Sequence, residues 1–395
     1  MNTQLLGAIL LLFSADEKPP QFRLSTLVGE PVVTSLKALT SSGELTTDEM
    51  KQPAGSWYAL RQIGKPLPPW PTQPHLQFAN GDRLCGTLVE LDSDALRWRM
   101  VDGETILRFP LSALTAIWFT PSTADAETPA WLSAPRAKDI VHLKSGELLT
   151  VALSSISEAP KIVKYQLANK EAQTELAKVS ALGFNTDLVR VRLPKGSYYR
   201  LTLRDGSRLN ALTLQGDERV LKCETLFKQP FSLLWSDILA VDVEQGSVRA
   251  LVDLKPTQYE YRSFAGEQFS WLPNLAVTGK PLRLATKEGE ATFVRGLGLH
   301  AECSLRYEFA QKYRRFEAVV GLDSQSGKRG QVVLEISIDG KPQTLPNNGK
   351  ISSATGLLSL RLEVANAKEM TIQVKAGAGG NVQDHVNIVE ARLVP

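Results

Sequence analysis

The feature that most narrows the folds open to this chain is a repeated hairpin. His75-Leu76-Gln77-Phe78-Ala79-Asn80-Gly81-Asp82-Arg83-Leu84 and Arg200-Leu201-Thr202-Leu203-Arg204-Asp205-Gly206-Ser207-Arg208-Leu209 both read as strand, tight turn, strand. Val141-His142-Leu143-Lys144-Ser145-Gly146-Glu147-Leu148 is a third copy, and a fainter fourth begins at Phe22-Arg23-Leu24-Ser25-Thr26-Leu27-Val28-Gly29-Glu30. The Asn80-Gly81 and Asp205-Gly206 pairs predict two-residue turns, whose residues need positive backbone angles. One such hairpin buries too little apolar surface to stand alone, so the copies are expected to pack on one another.

Each clear copy continues with two or three more strands and closes on an apolar cluster: Leu114–Phe119, Val179–Phe184 and Ile238–Val241. Within the first of these, Leu96, Trp98 and Met100 alternate with Arg97 and Arg99, the period-two pattern of a half-buried strand. Four or five short strands in about 45 residues predict a small bent β-barrel of the SH3 or Sm-like sort, or one blade of a larger β assembly. The units fall at 75–120, 138–185 and 200–246, with a degenerate one at 21–64. Lys65–Pro74, rich in proline, predicts a stiff joint that holds its neighbours apart, and Pro121–Pro129 a looser one. The best helix candidate is Lys170–Lys178, which becomes strand or turn if the repeat register holds.

From Tyr259 onward the strands lengthen. Leu305, Tyr307 and Phe309 alternate with Ser304, Arg306 and Glu308; Val332, Leu334, Ile336 and Ile338 share a face, as do Leu358, Leu360 and Leu362. With Asp339-Gly340 and other turn signals between them, these runs predict an antiparallel β-sandwich. The whole chain is therefore expected to be all-β, tandem small barrels followed by a sandwich.

The same region carries Arg295-Gly296-Leu297-Gly298-Leu299-His300-Ala301-Glu302-Cys303-Ser304-Leu305-Arg306-Tyr307 and, near the C-terminus, Asp384-His385. With Phe316, Gly321-Leu322-Asp323, Asp339-Gly340-Lys341 and Glu390-Ala391-Arg392-Leu393, it resembles the NPCBM family of carbohydrate-binding modules over about Thr257 to Val394. The resemblance implies a galactose-binding-like jelly roll at 257–395 with its ligand loops at one end and a glycan as ligand. The carbohydrate-contact candidates are Trp271, Arg295, His300, Tyr307, Asp384 and His385. For His300 and the Asp384-His385 pair three roles stand open: ligand contact, metal site, or internal strut between strands. Modules of this type often hold a structural calcium, for which Asp323 and Asp384 are the candidates; no other cofactor is expected. The family commonly has an aromatic, usually Trp, where this chain has Ile388, and the change is expected to be one of core packing.

Other function classes find little support. A formal charge of +3, with basic and acidic residues interspersed, lacks the footprint of a nucleic-acid binder. There is no nucleophile elbow, zinc spacing or P-loop, so the chain is expected not to be an enzyme. Cys85, Cys223 and Cys303 are odd in number and sit in strand-like runs as small hydrophobes, so no disulfide framework is expected. Leu5–Phe13 is a short apolar run followed by Ser14-Ala15, which predicts a signal peptide at 1–15; it is too short to span a bilayer, and no later stretch does better. The expectation is a non-catalytic protein, secreted, periplasmic or in the cell envelope, that binds carbohydrate through its last module and uses the repeats as spacers or protein contacts. The alternative is an envelope or extracellular scaffold that holds a protein partner without binding sugar.

Overall fold

The computed structural model describes residues 19–120, 129–190, 193–263 and 266–395. The expected signal peptide and residues 121–128 of the second joint lie outside the described residues. Strands dominate the rest, and the longest α-helix among the described residues is Ala130–Ser133.

Three segments share one order of elements: strands, a 3-10 turn, and a closing strand. The turns are Leu111–Ala113, Leu176–Lys178 and Trp235–Asp237, and the closing strands Leu114–Trp118, Val179–Gly183 and Ile238–Glu244. Each closing strand pairs back with the first strand of its own segment, His75–Phe78, Asp139–Leu143 or Tyr198–Leu203. The N-terminal segment does the same without the turn, Trp57–Gln62 pairing with Gln21–Thr26.

The closing strands also pair with one another. Trp57–Gln62 lies antiparallel to Ile238–Glu244, with Leu60 opposite Val241, and Leu114–Trp118 lies antiparallel to Val179–Gly183, with Ile117 opposite Leu182. First segment thus joins last, and second joins third. The result is one hydrogen-bonded system of 21 strands around one apolar core, to which all four segments contribute. Shared burial is what stabilises units too small to fold singly.

The hairpin turns are longer than expected. Phe78 N–H donates to Asp82 and Gly81 N–H donates to Phe78, which leaves three residues in the loop; Leu143 to Glu147 and Leu203 to Ser207 repeat the pattern. Only the glycine takes a positive φ, near 90° in Gly81, Gly146 and Gly206, because a type I turn closed by one left-handed residue needs it at that position alone. Lys170–Lys178 is a strand, Lys170–Glu175, followed by the 3-10 turn; full pairing with Ile162–Leu167 overrides its helix-forming composition.

The proline-rich joint does not hold its neighbours apart. The Arg208 guanidinium, buried, donates to the carbonyls of Pro68 and Pro69, the Trp70 ring lies against both Arg83 and Arg208, and Thr292 N–H donates to Leu67. The segment is a strap fastened to the repeats and to the C-terminal unit.

That C-terminal unit is a two-sheet sandwich. One sheet runs Leu272–Pro273, Gly296–His300, His385–Val394, Arg315–Leu322, Leu358–Glu363; the other runs Gln258–Tyr261, Cys303–Glu308, Glu369–Ala376, Gln331–Ile338, Lys341–Pro342. Arg249–Ala250 pairs with the end of His385–Val394, so the sandwich includes residues ahead of 257. Its core holds Leu297, Leu299, Leu305, Phe316, Ile336 and Ile372, among others. Ile388 is buried in that core, so the residue at the family's aromatic position is a packing residue here. The sandwich sits on the first and last repeats: Arg315 donates to the carbonyls of Thr26 and Leu27, Val394 packs on Tyr58 and Ala59, and Arg392 pairs with Asp242 at 2.5 Å.

Candidate functional site

On the Gly296–His300 strand, Leu297 and Leu299 face the core, so Gly296, Gly298 and His300 share the outer face. The two glycines are there for space. A Cβ on Gly298 would stand 2.3 Å from the Leu275 carbonyl, and one on Gly296 2.4 Å from that of Ile388. The bare strand lets the Leu275–Val277 segment cross directly over it. His300 projects just past that cover.

His385 is the residue opposite His300 in the ladder, and the two rings lie side by side with centroids 5.2 Å apart. Phe269 lies flat on His300, 4.1 Å away and within 3° of parallel, and Tyr261 meets both rings edge-on. The Tyr259 hydroxyl fixes this loop by donating to the Phe269 carbonyl at 2.6 Å. At the rim Asn381 donates to Glu267 at 3.2 Å, joining the loop that carries Phe269 to the one that precedes His385.

The hydrogen bonds set the state of both imidazoles. His300 Nδ1 lies 2.8 Å from the Ala301 carbonyl, an acceptor only, so Nδ1 carries a proton and in the neutral ring Nε2 is the acceptor. Ser326 Oγ lies 3.3 Å from Asp323 and 2.6 Å from His385 Nδ1. With the serine proton directed to the carboxylate, His385 Nδ1–H donates to Oγ and its Nε2 too becomes an acceptor. Burial, and then the neighbouring His300, hold His385 down to about 4, so it is neutral at ordinary pH. Asp, Ser and His in contact bring the hydrolytic triad to mind, but the order is different. The serine stands between the other two and gives its proton to the acid, which orients the histidine ring.

The remaining candidates lie elsewhere. Asp384 is a strut: it is fully buried, accepts from the Gln331 N–H at 2.8 Å and so ties one sheet to the other, while burial pushes its carboxyl up to about 6. Tyr307 is fully buried in the core and offers no face to a ligand. Trp271 is half-buried against the same core; Phe269, two residues earlier, is the ring that reaches His300. Arg295 pairs with Asp253 at the far end of its strand, about 16 Å from His300 at 3.3 Å per residue. Phe269, Tyr261, Glu267 and Ser326 were not singled out from the sequence; only the proximity of Phe269 to Trp271 marked the loop.

The two calcium candidates hold hydrogen bonds within the sandwich, and Asp384 keeps one buried oxygen, Oδ2, without a partner. Asp323 already accepts from Gln325 N–H and Ser326, Asp384 from Gln331 N–H, and among the described residues no three His, Cys, Asp or Glu side chains gather as a metal site. A calcium shell needs six to eight oxygens.

A rigid sheet end that carries a stacked aromatic, two imidazole acceptors and a carboxylate–amide pair has the make-up of a small-ligand binding module. Residues 250–394 match the NPCBM/NEW2 domain family. Over 103 residues the chain is 29% identical to a protein named "Putative endo-alpha-N-acetylgalactosaminidase" from Renibacterium salmoninarum; the match takes in 26% of this chain and 7% of that protein. Among solved structures it is similar to the CBM51 of a Clostridium perfringens GH95 in complex with methyl-galactose (19% identity, 37% of this chain and 99% of that one, TM-score 0.34). It is also similar to CBM51-2, in complex with GlcNAc, and INT domains of Clostridium perfringens ZmpB (20% identity, 46% and 37%, TM-score 0.34). No helix among the described residues is long and apolar enough to cross a membrane.

Proposed function

We propose that this is a non-catalytic, exported glycan-binding protein whose sandwich holds one sugar residue at the Phe269–His300–His385 end. The observation that carries the reading is the stack of Phe269 on His300 beside a second imidazole, both with Nε2 open as acceptors. A pyranose offers an apolar C–H face and a ring of hydroxyls, and protein sites meet these with an aromatic surface and planar polar groups. The Asn381–Glu267 pair supplies both a donor and an acceptor at the rim. The apolar run Leu5–Phe13 supports export.

The test is affinity electrophoresis and glycan-array binding of the whole chain, with and without calcium, alongside Phe269→Ala and His385→Ala. Galactose- and N-acetylgalactosamine-terminated glycans are the first probes, in view of the name of the relative. Retention that both substitutions abolish is the expected result; no retention on any polysaccharide sinks the reading. A scaffold role has one observation in its favour: among the described residues the Lys170–Glu175 strand pairs on one side only, which offers a sheet edge to another chain. A protein that co-purifies through residues 21–246 while glycans are ignored would favour it.

A further inference from the structure

The repeats and the sandwich enclose a cavity of about 320 Å³, of the size that holds small ligands. It is a separate place from the sugar site, since Arg295, in its wall, is about 16 Å from His300 along the strand. Six arginines line it (Arg61, Arg200, Arg208, Arg249, Arg295, Arg392) against four carboxylates, Asp242, Glu244, Asp253 and Glu390, an excess of two positive charges.

Most of these groups are spoken for by one another. Arg61 contacts both Asp242 and Glu390 at 2.6 Å, Arg392 shares Asp242 at 2.5 Å, Arg200 holds Glu244 at 3.0 Å, and Arg208 is spent on backbone carbonyls. Arg295 is different. Its Nη2 touches Asp253, itself 49% exposed, and its Nη1 reaches Glu244 only at 3.8 Å, while its buried Nε finds no hydrogen-bond acceptor. Arg249 is exposed at the same cavity and has no ion pair among the described residues. A buried guanidinium N–H without an acceptor is costly, and an oxygen of a carboxylate or phosphate is the partner that satisfies it best. Leu67, Val243 and Phe293 add an apolar wall for a carbon skeleton.

We propose that this cavity binds an oxyanion carried on a sugar-sized molecule, with Arg295 gripping the anionic group and Arg249 drawing it in. The test is calorimetric titration of the whole chain with galacturonate, galactose 6-phosphate, inorganic phosphate and neutral galactose, in wild type, Arg295→Gln, Arg249→Gln and Phe269→Ala. A charged sugar should bind in preference to galactose, weaken with added salt, and lose at least about tenfold in affinity, about 1.4 kcal/mol, in Arg295→Gln while Phe269→Ala leaves it unchanged. Galacturonate or the sugar phosphate as the tighter ligand assigns carboxylate or phosphate, and either supports the site. Should Arg295→Gln fail to fold, Arg249→Gln, at an exposed position, carries the same expectation of weakened binding. The proposal is overturned by charged sugars binding no better than galactose, by inorganic phosphate binding as tightly as the sugar phosphate, by loss of binding in Phe269→Ala, or by undiminished affinity in both arginine variants.

Discussion

Adding one methyl group to the Gly296-x-Gly298-x-His300 motif should loosen both the sandwich and the sugar site. In Gly298→Ala the new Cβ stands 2.3 Å from the Leu275 oxygen and 2.5 Å from Ala276 C and Val277 N, all backbone atoms that no rotamer change can move. Ordinary contact needs at least about 3.4 Å, so the covering segment must retreat by about 1 Å. Overpacking of that kind costs about 1–3 kcal/mol. At roughly 2 °C per kcal/mol for a chain of this size, the melting temperature should fall by about 2–6 °C.

The function follows because the displaced segment is continuous with the Phe269 loop. Leu272–Pro273 pairs beside the same strand, and Phe269 lies three residues ahead of it. A shift of about 1 Å there spoils the flat stack on His300 and should weaken glycan binding about tenfold, on the scale of effects seen when a positioned group is misplaced. Calorimetric melting and affinity electrophoresis read the two effects separately. Gly379→Ala is the control: its Cβ meets nothing within 4 Å and its φ is not in the left-handed region, so it should stay within about 0.5 kcal/mol of wild type. Gly298→Ala with the melting temperature and affinity of that control would refute the role given to the glycine.

Binding should also report the low His385 value. Protonation of His385 removes its Nε2 acceptor, so the share of affinity lost in His385→Ala should be constant from pH 8 to about 5 and shrink toward pH 4; a midpoint near 6.5 in that share would contradict the neutral, Ser326-bonded ring. At the junction of the two halves, Arg61→Met should destabilise by about 3 kcal/mol because it strips buried carboxylates of their partner, less whatever solvent screens at side chains 17% and 24% exposed. A double-mutant cycle with Glu390→Gln in urea should return a coupling of about 1–2 kcal/mol, and a value near zero rejects the pair. Burial pushes the thiols of Cys85 and Cys303 up to about 12 and raises that of Cys223, so none of the three should label with a thiol-reactive dye until the chain is unfolded. Labelling of native protein would show that one of them is less buried than described.

Period-two alternation made the strands legible, since every side chain on a buried face must be apolar whatever the strand pairs with. Leu96, Trp98, Leu305, Tyr307, Ile336 and Leu360 are all core residues for that reason. What pairs with what was not legible. The joining of Trp57–Gln62 to Ile238–Glu244 depends on strands some 180 residues apart, and both are apolar enough to serve as an edge or a centre. Lys170–Lys178 reads as the best helix candidate for a related reason: its Lys, Glu and Ala residues favour helix locally, and the neighbouring strand, a tertiary contact, decides against it.

The site divides along the same physical line. Residues that permit it were marked in the sequence by the family resemblance, and on a strand two glycines at alternate positions with a histidine next in phase fall on one face. Residues that form it could not be read there, because loops carry no periodicity and their aromatic side chains are assigned to core or surface by contacts alone. Trp271 and Phe269 are two residues apart, equally plausible on paper, and only the Tyr259 hydroxyl bond to the Phe269 carbonyl decides which ring is set down on His300. Tyr259→Phe therefore separates scaffold from contact. It removes one hydrogen bond, worth about 1 kcal/mol, and touches no ring of the cluster. If the loop is held by that bond, glycan affinity should drop severalfold with little change in melting temperature; an unchanged affinity would mean that Phe269 holds its place by stacking alone.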